Sequence, residues 1–292
     1  MRNARALARI GTLAFAMVSA AALPASAQID ITGNYEPIMH EDQVERIPGP
    51  DVGDYAGLPI TEAARFRANS WSPSLLTLPE HQCKPHPSTY GFRGVGNLRI
   101  QSVVDPESEE IVAYTTHIRW MEQKRTIWMD GRPHPPEFAP HTWQGFSTGR
   151  WEGNVLVVET THLKAGWFRR NGLMLTDAAK MTERFIKHGN VIQHVYMIED
   201  PNYLTEPLIK TSGFLLQDRD YMEPYPCSYV TEVPRARGEV PHNLPGTEAS
   251  NPSAEYAAMH KIPVEAARGG AETAYPEFMR RAQPAAGRTG AQ

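Results

Sequence analysis

The sequence has only two cysteines in 292 residues, Cys83 and Cys227. That excludes a small scaffold stapled by several disulfides and leaves the core to apolar packing. It lacks an apolar run of the roughly 20 residues that a membrane-spanning helix needs, so no membrane span is expected. A surplus of positive charge is also missing, with 29 Lys and Arg against 33 Asp and Glu, which argues against a nucleic-acid partner requiring a basic face. Only 21% of residues are charged. There is no Cys-x-x-Cys-His haem attachment, no His-Glu-x-x-His zinc helix and no phosphate-binding Gly loop, so no cofactor is expected. The run Gly145-Phe146-Ser147-Thr148-Gly149 matches the spacing of a nucleophile elbow. It is followed by Arg150-Trp151-Glu152-Gly153-Asn154 leading into a strand rather than by a helix, which makes the match accidental.

What is present begins with a targeting pattern. Arg2, Arg5 and Arg9 precede an apolar stretch from Ile10 to Ala22, then Pro24 and the small triplet Ala25-Ser26-Ala27. Residues 1–27 read as a secretory signal peptide, which predicts export to the periplasm. Without them the chain loses three basic residues and no acidic one, leaving a formal charge of −7 over residues 28–292. All 11 histidines lie in that part. In an oxidising compartment Cys83 and Cys227 are expected to pair as a disulfide. The competing arrangement is a metal site, because His81-x-Cys83-x-x-His86 offers three ligands within six residues.

Twenty-two glycines and 25 prolines make the chain turn-rich. Prolines from Pro37 to Pro87 break residues 28–97 into an irregular N-terminal arm, with one short helix expected over Glu62–Asn69, capped by Thr61 and presenting Ala63, Ala64 and Phe66. Residues 98–233 carry period-2 alternation in seven segments: Leu98–Val104, Ile111–Trp120, Thr126–Met129, Val155–Thr161, Lys180–Lys187, Val191–Glu199 and Leu208–Leu216. Turn signals separate them, among them Glu152-Gly153-Asn154 and His188-Gly189-Asn190. The fold class expected is mainly β, an antiparallel meander closing into a lipocalin-like β-barrel. Residues 234–280 hold Tyr256, Met259, Ile262, Tyr275, Phe278 and Met279, too many large apolar groups for a solvated tail, and are expected to strap onto the core. Residues 281–292 are expected to be a disordered tail.

The densest candidate for chemistry is RTIWMDGRPHPPEFAPHTWQGFSTGRW at 125–151, where a strand runs into a Pro-rich loop. Its prolines hold polar groups with little residual freedom. His134 or His162 would serve as general base, Asp130 would orient a histidine, and Arg132 would stabilise a developing oxyanion. His117 and His141, with Trp128, Trp143 and Trp151, would line the ligand cavity. Strand alternation puts Thr160 and His162 on one face and Thr115 and His117 on another, two pairs able to line one polar cavity. The bland alternative is that Asp130 and Arg132 form a turn salt bridge, the tryptophans plug the barrel and the histidines cap strands. The adjacent Glu199 and Asp200 point to opposite faces and read as turn formers rather than a catalytic dyad.

The runs HQCKPHPSTY at 81–90, RTIWMDGRPHPP at 125–136, APHTWQGFSTGRWEG at 139–153, TTHLK at 160–164, RRNG at 169–172, YLTEP at 203–207 and RGGAETAYPE at 268–277 resemble a family of exported bacterial proteins. The resemblance covers nearly the whole of residues 28–292. It implies one co-folding unit that includes the C-terminal strap, and it brings no activity or catalytic residues with it. The function expected is binding of a small, largely apolar molecule inside a periplasmic barrel, with lyase, hydratase or isomerase chemistry by histidine and carboxylate. A non-catalytic carrier or sensor is the first alternative. The second is a metal-dependent hydrolase with ligands from His81, His86, His134 and His141.

Overall fold

The computed structural model describes residues 29–38, 50–91, 96–230, 233–240, 242, 244 and 252–282. The expected signal peptide at 1–27 and all but the first two residues of the expected tail at 281–292 lie outside these. The strands are β1 (Gly33–Pro37), β2 (Leu98–Val104), β3 (Ile111–Ile118), β4 (Gln123–Trp128), β5 (Phe146–Glu152), β6 (Val155–Thr161), β7 (Gly166–Trp167), β8 (Met174–Leu175), β9 (Lys180–His188), β10 (Val191–Glu199) and β11 (Leu208–Leu216). Nine of them close a barrel in the order β1-β11-β10-β9-β6-β5-β4-β3-β2, while β7 and β8 form a separate two-stranded ribbon. The helices are α1 (Glu62–Asn69), α2 (Pro79–Gln82), α3 (Ser88–Gly91), α4 (Pro252–His260), α5 (Val264–Ala267) and α6 (Pro276–Ala282).

Alternation sets the barrel wall. Met181, Glu183 and Phe185 of β9 and Ile192, His194, Tyr196 and Ile198 of β10 point inward, with relative exposures of 0–1%. Hairpins β5–β6 and β9–β10 turn through Gly153 and Gly189. Each has positive φ (59° and 57°) at the first turn position, where a two-residue hairpin favours glycine.

The barrel is a mixed sheet rather than a pure meander. β4 and β5 are parallel, pairing Ile127 with Ser147 and Trp128 with Thr148. Parallel neighbours need a crossover of a dozen or more residues. Residues 129–145 are that crossover, which explains why so long a Pro-rich segment interrupts a barrel otherwise built from short turns. The N-terminal arm is not wholly irregular either. Its β1 closes the barrel, with Tyr35 opposite both Leu216 of β11 and Leu98 of β2.

The rest of the arm caps one end. Ile60 bridges Leu204, Thr61 N–H donates to Tyr203 O, and Tyr55, Leu58 and Ile60 join the barrel core. Helix α1 has the expected bounds, and Thr61 Oγ1 accepts from Ala64 N–H at 3.2 Å. Its inward face is Ala64, Arg65 and Ala68 rather than the expected Ala63, Ala64 and Phe66; Phe66 is 62% exposed. The C-terminal segment straps onto the arm: Tyr55 N–H donates to Ala267 O, Gly270 N–H to Leu58 O and Ser253 Oγ to Gly53 O. Small residues make this contact. Ala257, Ala266 and Ala267 are buried, whereas Met259 and Tyr275 are largely exposed. Among the described residues no helix is long and apolar enough to cross a membrane.

Candidate functional site

The crossover loop lies on the outer face of the barrel, because odd-numbered residues of β5 point inward. Ser147 is buried, Gly149 packs against Ile127 and Leu156, and Thr148 faces out to meet the loop. His134 sits between Thr161 and Thr148, Nδ1 at 2.7 Å from Thr161 Oγ1 and Nε2 at 2.8 Å from Thr148 Oγ1. His162 departs from the predicted alternation by leaving β6 with φ of 57°. It holds Thr161 Oγ1 at 2.7 Å through Nδ1 and Pro136 O at 3.0 Å through Nε2. A carbonyl only accepts, so His162 Nε2–H donates to Pro136 O, and with both rings in their neutral form Nδ1 accepts from the Thr161 hydroxyl. Thr161 Oγ1 then accepts from His134 Nδ1–H, and His134 Nε2 accepts from Thr148. One carbonyl thus orders the whole chain. Both nitrogens of both rings are engaged in anchoring the crossover to the strands below it.

The other expected site residues scatter around this anchor. His141 lies 5.2 Å from the His162 ring and bonds Leu163 O through Nδ1 at 2.8 Å. Asp130 is engaged by Arg132, whose guanidinium also lies 3.5 Å over Trp128 on the outer face. His117 points outward and bonds Glu122 at 2.9 Å, so it does not share a cavity with His162. Trp151 points inward against Tyr114, and Trp143 lies beneath Lys84 and Lys164. His134, His141 and His162 therefore come together, while Asp130, His117 and the tryptophans do not join them. Ser147 of the elbow-like run is a buried strand residue. Asp200 accepts from Thr176, Asn202 and Tyr203 as a turn former.

Inside the barrel is a polar cluster that the sequence reading did not single out. Arg125 of β4 holds Glu183 of β9 through two bonds of 2.6 and 3.0 Å, and His194 Nε2 of β10 meets Glu183 Oε1 at 2.9 Å. Thr160 of β6 and Ser147 of β5 bond each other at 2.8 Å beside them. All five side chains are buried. Burial alone pushes the Glu183 carboxyl up, but Arg125 and the hydrogen bond from His194 outweigh it and hold the group at about 2. Burial lowers His194, whose neighbour Glu183 is already neutralised by Arg125. The signal was available in principle, since Arg125, Glu183 and His194 occupy inward positions among Ile127, Phe185 and Tyr196.

At the capped end, next to the disulfide, the chain encloses a pocket of about 140 Å³. Cys83 and Cys227 are joined, with Cα atoms 5.6 Å apart, which makes the thiolate ligand of the competing metal arrangement impossible. The pocket draws on five segments: His81, Lys84 and His86 around the cysteine, Trp120 and Met121 of the β3–β4 turn, Trp167 of β7, Arg170, and Tyr225. His86 is stacked on Trp120 at 4.8 Å and tilted against Tyr90 at 4.5 Å, and its buried Nδ1 has no hydrogen-bond partner among the described residues. Trp167 is packed edge-on by Trp71 at 5.5 Å. Burial first, then the charges of Arg170 and Lys84, press the His86 pKa down to about 3. His81 is lowered by burial and by Lys84, and Lys84 by burial and Arg67. A second groove of about 450 Å³ runs past Asn34, Arg99 and Gln101, but its Arg99 is occupied by Asp220 at 2.8 Å and Asn34 at 2.8 Å.

Stability should fall on mild acidification. His81, His86, His117, His134 and His194 all have lower pKa values folded than unfolded. Below the ordinary histidine value near pH 6.5 the unfolded chain therefore binds more protons and gains on the folded one. One histidine kept neutral costs about 2 kcal/mol between pH 6.5 and 5, at about 1.4 kcal/mol per pH unit. Glu183, held low, adds a loss of the same sign below its ordinary value of 4.5. Unfolding free energies from urea titrations at pH 7 and pH 5 should differ by at least that amount; a flat profile would show that these imidazoles are not held neutral.

Among the described residues no group of three or more His, Cys, Asp or Glu side chains is arranged to hold a metal ion. His81 and His86 lie at the pocket, apart from the hydrogen-bonded set of His134 and its neighbours. The fold defines the class of this protein as a closed, nine-stranded mixed β-barrel with one capped end. No protein-family model matches the chain, and no curated protein and no solved structure matches it either.

Proposed function

We propose that this is an exported barrel protein that binds a small, largely apolar molecule, acting as a carrier or sensor in the periplasm. The observation that carries the reading is the pocket of about 140 Å³ between Trp120, Trp167 and Tyr225, fixed by the Cys83–Cys227 bond. A dry cavity of about 150 Å³ accommodates one benzene-sized ring, so the pocket suits a single-ring ligand. Trp120, Trp167 and Tyr225 supply aromatic walls, and His81, Gln82, Lys84, His86 and Arg170 supply polar groups able to orient a ligand. Export is supported by the pattern in residues 1–27 and by the disulfide, which persists in an oxidising compartment. Acid/base turnover by His134 and His162 has less support, because their four ring nitrogens already bond the crossover and its strands.

The test uses protein recovered from a periplasmic fraction, where its N-terminus should be Gln28. Saturation-transfer NMR against a set of single-ring compounds should give binders, and Trp120→Ala should abolish their signals while leaving the fold intact by circular dichroism. Retention in the cytoplasm with residues 1–27 attached, or binders indifferent to Trp120→Ala, would contradict the reading.

A further inference from the structure

The charged side chains that line the pocket are of one sign. Lys84 and Arg170 line it together with His81 and His86, and none of the lining residues is acidic. The nearest carboxylates are directed elsewhere. Glu80 holds Arg235 through bonds of 3.0 and 2.5 Å, and Glu122 accepts from Tyr225 N–H at 3.1 Å and meets His117 at 2.9 Å. Lys84 makes no ion pair among the described residues; its ammonium rests 5.8 Å over Trp143. Glu80 acts on Lys84 but is outweighed there by burial and Arg67, so the ammonium stays short of counter-charge, and desolvating such a cation is unfavourable. Beside it the His86 ring presents a buried Nδ1 without a partner among the described residues. That ring is neutral at physiological pH, so it offers either a donor or an acceptor but adds no charge.

Resting on the binding reading above, we propose that the ligand is a small carboxylate on a flat six-membered ring, its ring between Trp120 and Trp167 and its charge met by Lys84. The volume limits the body to about one ring, the indoles favour a planar face, and the Lys84 ammonium, in no ion pair among the described residues, selects an anion. A neutral ring would leave the Lys84 ammonium desolvated beside it. A cationic ring would meet like charge.

Isothermal titration of the full exported chain with four probes tests this: sodium benzoate, benzyl alcohol, benzylammonium chloride and sodium phosphate. Benzoate should bind on the order of tenfold or more tighter than benzyl alcohol, with no detectable heat from benzylammonium and no competition from phosphate at equal concentration. Lys84→Met should remove that tenfold preference, and Lys84→Arg should keep it. Equal affinities for benzoate and benzyl alcohol would overturn the charge assignment while leaving the pocket a binding site. Competition by phosphate would overturn the ring assignment. If none of the ring compounds binds, the binding reading itself fails.

Discussion

Replacing Arg125 by methionine is expected to cost about 3–5 kcal/mol of folding stability, the usual result of removing one partner of a buried ion pair. Glu183 is buried, and without the guanidinium its carboxylate would keep, among the described residues, only the His194 and Thr160 contacts. The cost comes from the abandoned charge more than from the bond. A double substitution, Arg125→Met with Glu183→Leu, should therefore recover most of the loss, because apolar groups of similar volume can replace such a pair at little penalty. Urea midpoints of the two single variants and the double variant decide the matter. A single-variant loss under about 1 kcal/mol, or a double-variant loss equal to the sum of the singles, would show that the interior cluster is hydrated rather than sealed.

The second large effect is expected from the disulfide. Cys83 and Cys227 are separated by 144 residues, so their bond closes a long loop and removes much freedom from the unfolded chain. Chain-entropy arithmetic sets a ceiling near 5 kcal/mol for such a loop, and measured losses run about 2–5 kcal/mol. Cys83→Ala with Cys227→Ala should lower the melting temperature by about 5–15 °C at the sensitivity typical of domains this large. The bond has a local consequence too. Residues 217–230 contain neither helix nor strand, and besides the disulfide they are tied near the pocket by Glu122 to Tyr225 N–H and by Arg119 to Glu223. The double variant should therefore also weaken benzoate binding, as Tyr225 loses its fixed position. An unchanged melting temperature would mean that these polar ties alone hold the segment.

The barrel was legible where burial on the inner face imposes strict alternation. Strands β2, β6, β10 and β11 end where the period-2 segments end, since a slip of one residue would turn the inward set outward. Strand β1 was not legible, because Gly-Asn-Tyr-Glu-Pro is short and draws its order from Leu98 and Leu216, far along the chain. Strand β5, with Gly149, Arg150 and Glu152, has weak intrinsic preference and is fixed by pairing with β4 and β6. The same parallel pairing changes the meaning of residues 129–145. Their density of histidine, proline and tryptophan suggested a catalytic loop, whereas much of it fastens a crossover to the outer wall.

The candidate site was less legible than the fold. Arg125 and Glu183 stand 58 residues apart, and only the barrel's closure makes one the counter-ion of the other. The Cys83–Cys227 bond lies beside the pocket, and His81 and His86, read from their spacing as candidate metal ligands, line it. Their actual companions, Trp120, Trp167, Arg170 and Tyr225, come from segments that no local pattern connects.

The most direct measurement of the central claim is a titration of sodium benzoate followed by the indole N–H signals of uniformly ¹⁵N-labelled protein. The indoles of Trp120 and Trp167 should shift together and saturate with one dissociation constant, while those of Trp128 on the outer wall and Trp151 in the barrel interior stay in place. Shifts centred on Trp128 or Trp151, or none at any indole, would place the ligand elsewhere and contradict the account.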